Sequence, residues 1–454
     1  MTDDTALDSH GDEIPAHPSR SAPNSTGAAG RSPTSPPTPS SAVASAPGGS
    51  WRRLSPTVWI LVLARAVNKI GAFTLPFLGV VLTVEFGASL AQTGLILAVF
   101  GAATIPSRLL GGQLADSLGR RRTIVLGLTG CAVAQLWIAL SDALWSAALA
   151  TVLLGLAFEI YEPPSQATIA DVTEPADRPT AYGLLGAAMA AAGVLAGLLA
   201  AAVSHFDLRW LFVADAITCL ACAIVVALAL PADRRARRTA TIAAVERGRS
   251  RAAGSAADRG RGVEPKVAVW RDRRLLLLLA SGTVFATLYM QLIIGIPLTL
   301  LDQGLPESGT GFILAVSAVT LILAQRLLRV RGLDDFRSIA IGYGLLAAGL
   351  VVTAFAHSLT VFLLATVLWS LGDLFLLTRY LTQASGLAPD HARGRYLAVF
   401  GLSWGIATTI APLTATQLLK AAGPEGLWLA SAATAAVLAS IQPWFRKQLA
   451  PAAR

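Results

Sequence analysis

Gly111-Gly112-Gln113-Leu114-Ala115-Asp116-Ser117-Leu118-Gly119-Arg120-Arg121-Arg122 is short, polar and basic. Apolar runs of about twenty residues, the length needed to cross a bilayer core, flank it on both sides. It reads as a tight turn between two membrane helices. Its glycines let the backbone turn and let neighbouring helices approach. Asp116 sits where a helix gives way to the turn, and the three arginines hold the turn on the cytoplasmic side.

The rest of the chain carries the same signal. Of 454 residues, 54% are hydrophobic and only 14% are charged. Soluble domains carry about 25% charged residues. Apolar runs lie near 56–84, 89–110, 123–141, 144–164, 179–203 and 209–230, then near 274–301, 308–328, 337–356, 359–380, 395–419 and 426–445. These are twelve expected spans in two sets of six. The net charge of +9 lies in the loops and tails, which speaks for membrane orientation and against nucleic-acid binding. With the N-terminus inside, 32 of the 36 lysines and arginines fall on the cytoplasmic side. Arg209 and Lys420 fall outside, and Arg65 and Lys69 lie within the first span. The expected organisation is a cytoplasmic tail over 1–53, a six-helix bundle over 54–231, a basic cytoplasmic linker over 232–272, a second bundle over 273–446 and a tail over 447–454. The polar start of the chain shows no signal-peptide pattern.

Enzyme signatures such as HExxH, a P-loop or GxSxG do not stand out, and no cofactor or metal is expected. Cys131, Cys219 and Cys222 sit in apolar runs and read as small buried side chains. The two halves echo each other. Ser107-Arg108-Leu109-Leu110 parallels Gln325-Arg326-Leu327-Leu328, and the turn at 111–122 has a counterpart near 326–337. Repeats of this kind relate the halves of one large transporter class, with the substrate site between them.

On these residues the chain resembles a major facilitator superfamily transporter. The superfamily signature G-x-L-A-D-x-x-G-R-R/K is matched by Gly112, Leu114, Ala115, Asp116, Gly119, Arg120 and Arg121. The resemblance covers about 54–446. It implies an all-α membrane protein with twelve transmembrane helices in two pseudo-symmetric six-helix bundles, the major facilitator fold. Helices 1, 4, 7 and 10 would line the central cavity. Within the superfamily the chain is most similar to multidrug efflux members of the drug:proton antiporter type. That similarity rests on Glu162-Pro163-Pro164, Ala170-Asp171, Arg178, Leu208-Arg209-Trp210 with Asp215, Tyr289-Met290-Gln291 and Ile296-Pro297-Leu298. Thr151 stands where efflux antiporters often carry arginine, and Gly193–Leu198 keeps the glycine spacing of their fifth helix without its proline.

Arg65, Asn68 and Lys69 share one face of the first expected span, as do Glu159 and Glu162 in the fourth. A charge at mid-membrane costs roughly 2.5–3.5 kcal/mol on insertion scales, so such residues face a partner or a cavity. Arg65 or Lys69 is expected to pair with Glu159, and Glu159 or Glu162 to exchange protons; a permanent ion pair joining the two helices is the alternative. Asp373, Tyr289 and Gln291 are expected to face the cavity from the second half, with Arg379 as a possible structural partner of Asp373. Gly112, Asp116, Gly119, Arg120, Arg121, Asp171 and Arg178 form the expected cytoplasmic gate motif, with Asp116 latching against Arg393 or Arg395. The function expected is proton-coupled efflux of small amphipathic molecules or drugs by alternating access. Uptake of a polar or anionic nutrient is the alternative, and a non-transporting membrane sensor a third reading. The expected partners are a small-molecule substrate, protons and the lipid bilayer, for a monomer in the plasma membrane with both termini cytoplasmic.

Overall fold

A computed structural model of the protein describes residues 54–71, 74–174, 177–203, 207–230, 269–325, 334–388 and 393–449. The expected tail over 1–53, the linker up to residue 268 and the second-half echo at 326–333 lie outside the described residues. So do the side chains of Arg178, Arg393 and Arg395.

Among the described residues every regular element is helical. The first half holds α1 (Pro56–Ile70), α2 (Thr74–Val84), α3 (Leu90–Ser117), α4 (Arg120–Leu140), α5 (Leu144–Phe158), α6 (Glu162–Asp171), α7 (Arg178–Val203) and α8 (Arg209–Ala229). The second holds α9 (Arg273–Asp302), α10 (Ser308–Ala324), α11 (Asp335–Ala354), α12 (Leu359–Leu387), α13 (Arg393–Ser440) and α14 (Gln442–Leu449). Local chemistry sets many of the starts. Pro56 opens α1, where a missing N–H costs nothing. Ser89 and Gln92 form a reciprocal capping box on α3. The carboxylates of Asp272 and Asp334 cap α9 and α11 by accepting from the backbone N–H groups of Arg274 at 2.9 Å and Arg337 at 2.7 Å.

Among the described residues ten helical stretches are long and apolar enough to cross a membrane, and α10 is a shorter apolar helix. One of the ten, Tyr396–Ser440, is 45 residues long. It turns a corner at Gly423, whose φ of 64° and ψ of −172° are not helical, just before Pro424. The corner falls between the expected runs 395–419 and 426–445. The fourth expected run is bent too. Pro163 and Pro164 cannot donate to the carbonyls of Glu159 and Ile160, so α5 stops at Phe158 and α6 starts at Glu162.

The turn at 111–122 is tighter than its composition suggests. Only Leu118 and Gly119 lie between α3 and α4. Gly119 takes φ 97°, a conformation open to glycine. Gly111 lies inside α3 and packs against the backbone of Ile160 at the α5–α6 corner, whereas Gly112 faces open space.

The two halves meet along three seams: α3 with α13, α7 with α10, and α2 with α9. Lipid tails compete for apolar surface, so membrane helices associate by close packing of small residues. At the α7–α10 seam a methyl group on either Gly197 or Gly311 would run into the backbone of the other helix. Gly101 of α3 meets the backbone of Thr408 in the same way. Gly183, Gly186 and Gly401 face open space. Arg209 reaches Glu85 at 3.2 Å and donates to the Ser141 carbonyl at 3.0 Å, tying α8 to the ends of α2 and α4. Burial, and then the neighbouring Glu85 of the other half, push the Glu307 carboxyl above its ordinary range.

Two predictions follow from these seams. A G311V substitution overpacks the α7–α10 seam and costs about 1–3 kcal/mol in thermal unfolding, whereas G183V leaves stability nearly unchanged. A raised Glu307 favours its protonated form in the folded protein, so that contribution is full at low pH and is lost as pH rises through the raised value. E307Q should flatten the fall of unfolding temperature as pH rises above the ordinary glutamate range.

Candidate transport cavity

A cavity of about 290 Å³ lies between the two halves. The first half contributes Asn68 and Lys69 from α1, Gln135 from α4, Tyr161 from the α5–α6 corner, and Asp215 and Cys219 from α8. The second contributes Tyr289 from α9 and Trp369 and Asp373 from α12.

The first-half wall is one run of hydrogen bonds. Tyr161 Oη donates to Asn68 Oδ1 at 3.1 Å, and Asn68 Nδ2 donates to Cys219 Sγ at 3.2 Å. The Cys219 thiol donates to Asp215 Oδ1 at 3.7 Å, and Gln135 Nε2 donates to Asp215 Oδ2 at 2.7 Å. Asp215 is only 3% exposed, so these bonds satisfy a carboxyl held away from water. Lys69 opens onto the same cavity, with no carboxylate within ion-pair distance among the described residues.

The expected pairing of Arg65 or Lys69 with Glu159 is not what forms. Arg65 makes a close ion pair with Glu162 and lies over the Tyr161 ring, 5.1 Å from its centroid. Glu159 sits 3.9 Å from Arg108 instead, and its backbone N–H donates to Ser107 Oγ at 2.9 Å. The reason is the proline corner. A spacing of three puts two residues on one face only while the helix is continuous, and this helix stops between them. Neither Arg65, Glu159 nor Glu162 lines this cavity.

In the second half, Asp373 is 1% exposed and its Oδ1 has no hydrogen-bond partner. Trp369, one turn away, has an equally unpartnered Nε1. Arg379 pairs with Asp335 at 2.9 Å, so it does not serve Asp373. Tyr289 lines the cavity and packs edge-on against Trp404, with ring centroids 5.3 Å apart. Gln291 does not line it. Its amide donates to Thr414 Oγ1 at 2.9 Å and accepts from Ser431 Oγ at 3.0 Å, which pins α9 to both arms of α13.

Arg120 and Arg121 each make bonds within the first half. Arg120 pairs closely with Asp171 and donates to the Ala167 carbonyl at 3.0 Å, joining α4 to α6. Arg121 donates to the Ala227 carbonyl at the end of α8. Asp116 lies in the last turn of α3. Its expected latch to Arg393 or Arg395, and the place of Arg178 in the motif, fall on side chains outside the described ones. Sequence reasoning missed Gln135 and noted Asp215 only through a resemblance. Each is a lone polar group in an apolar run, which was the available signal.

The chain matches the family model described as Major Facilitator Superfamily over residues 54–333. It is 26% identical over 384 residues to the uncharacterized MFS-type transporter YhjO of Bacillus subtilis, covering 80% of this chain and 86% of that one. It is 27% identical over 366 residues to a Na(+), Li(+), K(+)/H(+) antiporter of Planococcus maritimus, covering 75% and 84% of the two chains. With the multidrug resistance protein MdtH of Aeromonas hydrophila it shares 24% identity, over 76% and 84%. The fold is also that of a solved POT family transporter in complex with 5-aminolevulinic acid, with a TM-score of 0.69, 13% identity and coverage of 87% and 96%. The apolar helices, the cavity between the halves and the family match lead to one conclusion: this chain is a multi-pass membrane protein and belongs to the major facilitator superfamily.

Proposed function

We propose that the protein is a proton-coupled exporter of small amphipathic molecules. Two six-helix bundles, 54–231 and 273–446, rock about the cavity and expose it to each side of the plasma membrane in turn. The observation that carries the reading is Asp373, a buried carboxyl with an unpartnered oxygen on the cavity wall. Such a group can hold a proton when the cavity is empty and release it when a cationic group of the substrate arrives. The relatives named for multidrug resistance and for cation/proton antiport support export and proton exchange. Within this reading Asp373 takes the proton-exchange role first expected of Glu159 or Glu162. Arg65 and Glu162 form a strut between α1 and α6. Asp116, Arg120 and Asp171 hold the cytoplasmic end of the first bundle in shape. Lys69 is the one observation that favours anion uptake as a second reading.

Inverted vesicles loaded with the protein should accumulate a fluorescent amphipathic dye when a pH gradient is imposed, and a protonophore should stop them. D373N should lower gradient-driven transport by at least about a hundredfold, the scale on which a proton-transfer group acts. Transport by D373N that still follows the gradient removes Asp373 from the coupling step. The strut has its own test. R65Q alone should cost about 3–5 kcal/mol in unfolding, and R65Q/E162Q together less, because the double variant leaves no buried charge unpaired. Charge reversal in D116K should weaken transport without blocking membrane insertion.

A further inference from the structure

Lys69 and Asp373 stand on opposite walls of one cavity, Lys69 in the last turn of α1 and Asp373 within α12. The other ionisable side chains nearby are engaged within their own half. Arg65 is with Glu162, Arg108 is 3.9 Å from Glu159, and Arg379 is 2.9 Å from Asp335. Asp215, the acidic neighbour of Lys69, accepts from Gln135 at 2.7 Å and from Cys219 at 3.7 Å. Asp373 Oδ1 and Trp369 Nε1 have no hydrogen-bond partner. A buried polar group without a partner is costly, and inside a membrane protein such groups mark the path of a substrate or ion. The remaining wall is apolar and aromatic, with Phe158, Leu292, Ile293 and Ile296 among its residues. Its volume of about 290 Å³ lies at the small end of ligand pockets, which run to about 1,000 Å³.

We propose that the occupant is a small zwitterion with an apolar body, its ammonium group facing Asp373 and its carboxylate-type anion facing Lys69. The inference rests on reading this cavity as the transport site. A purely cationic occupant answers Asp373 but is repelled by Lys69. A purely anionic one answers Lys69 and leaves Asp373 alone. A zwitterion answers both and spans the two halves, so its binding energy depends on how the halves are placed. That differential affinity is what a ligand needs to shift a conformational equilibrium. Trp369 Nε1, one helical turn from Asp373, supplies a further donor to an acceptor beside the ammonium group.

Thermal unfolding of the purified full-length protein tests this with matched triplets on phenyl, indole and branched aliphatic bodies. Each triplet holds the amino acid, its amide with the amine alone charged, and its N-acetyl form with the acid alone charged. The result expected is at least one amino acid that binds about tenfold or more tightly than both of its partners, the scale of losing one buried charge partner. K69Q should bring that amino acid level with its amide, D373N should bring it level with its N-acetyl form, and K69R should keep the preference. The proposal is overturned if no amino acid exceeds both partners, or if the preference survives in K69Q and D373N. Gradient-driven dye transport without a zwitterion preference overturns this inference and leaves the exporter reading standing. A zwitterion preference without gradient-driven transport does the reverse.

Discussion

A charge placed at the depth of a bilayer core must end on a partner or on the wall of a cavity, and the polar architecture of this protein follows from how each charge meets that demand. Arg65, inside the first span, meets it with Glu162, and nearer the helix ends Arg209 pairs with Glu85 and Arg379 with Asp335. Every ion pair among the described residues joins two groups of the same half. Among those residues the halves can part without breaking a salt bridge. Lys69 on one wall and Asp373 on the other face the space between them.

The contacts that do join the halves are of another kind. Gly197 against Gly311, and Gly101 against Thr408, bring backbones together where no side chain intervenes. Such contacts are made by shape and dispersion, so they form and break over small displacements. Gly183, Gly186 and Gly401 instead face open space. Identical residue types on one helix therefore serve different purposes according to their height along it. Asp215 shows the same division between wall and frame. Its bonds to Gln135 and Cys219 make it part of a rigid wall, whereas Asp373 has kept an open valence.

Much of the fold was legible in the chain. Apolar runs became helices close to where hydropathy placed them, and the turn at 111–122 joined two of them as expected. The hidden part was the direction of side chains wherever a helix is not continuous. Glu159 and Glu162 look like one face in the sequence, and the corner made by Pro163 and Pro164 sends them to different arginines. Gln291 looked like a cavity residue and is a cross-brace between α9 and α13. In the expected gate motif, Gly112 faces open space, while its neighbour Gly111 packs against the α5–α6 corner.

The sequence by itself determined that the chain is helical, apolar and built to lie in a membrane, because backbone polarity in hydrocarbon leaves helices as the solution for runs of this length. It also determined where helices begin, through Pro56, the Ser89–Gln92 box, Asp272 and Asp334. Only the tertiary structure decided which polar groups meet. The bonds that build the cavity wall join residues 151 positions apart at Asn68–Cys219 and 80 apart at Gln135–Asp215. No local periodicity encodes a choice among partners so distant. It is set by helix rotation and height, and those are outcomes of packing small residues such as Gly197 and Gly311 against one another.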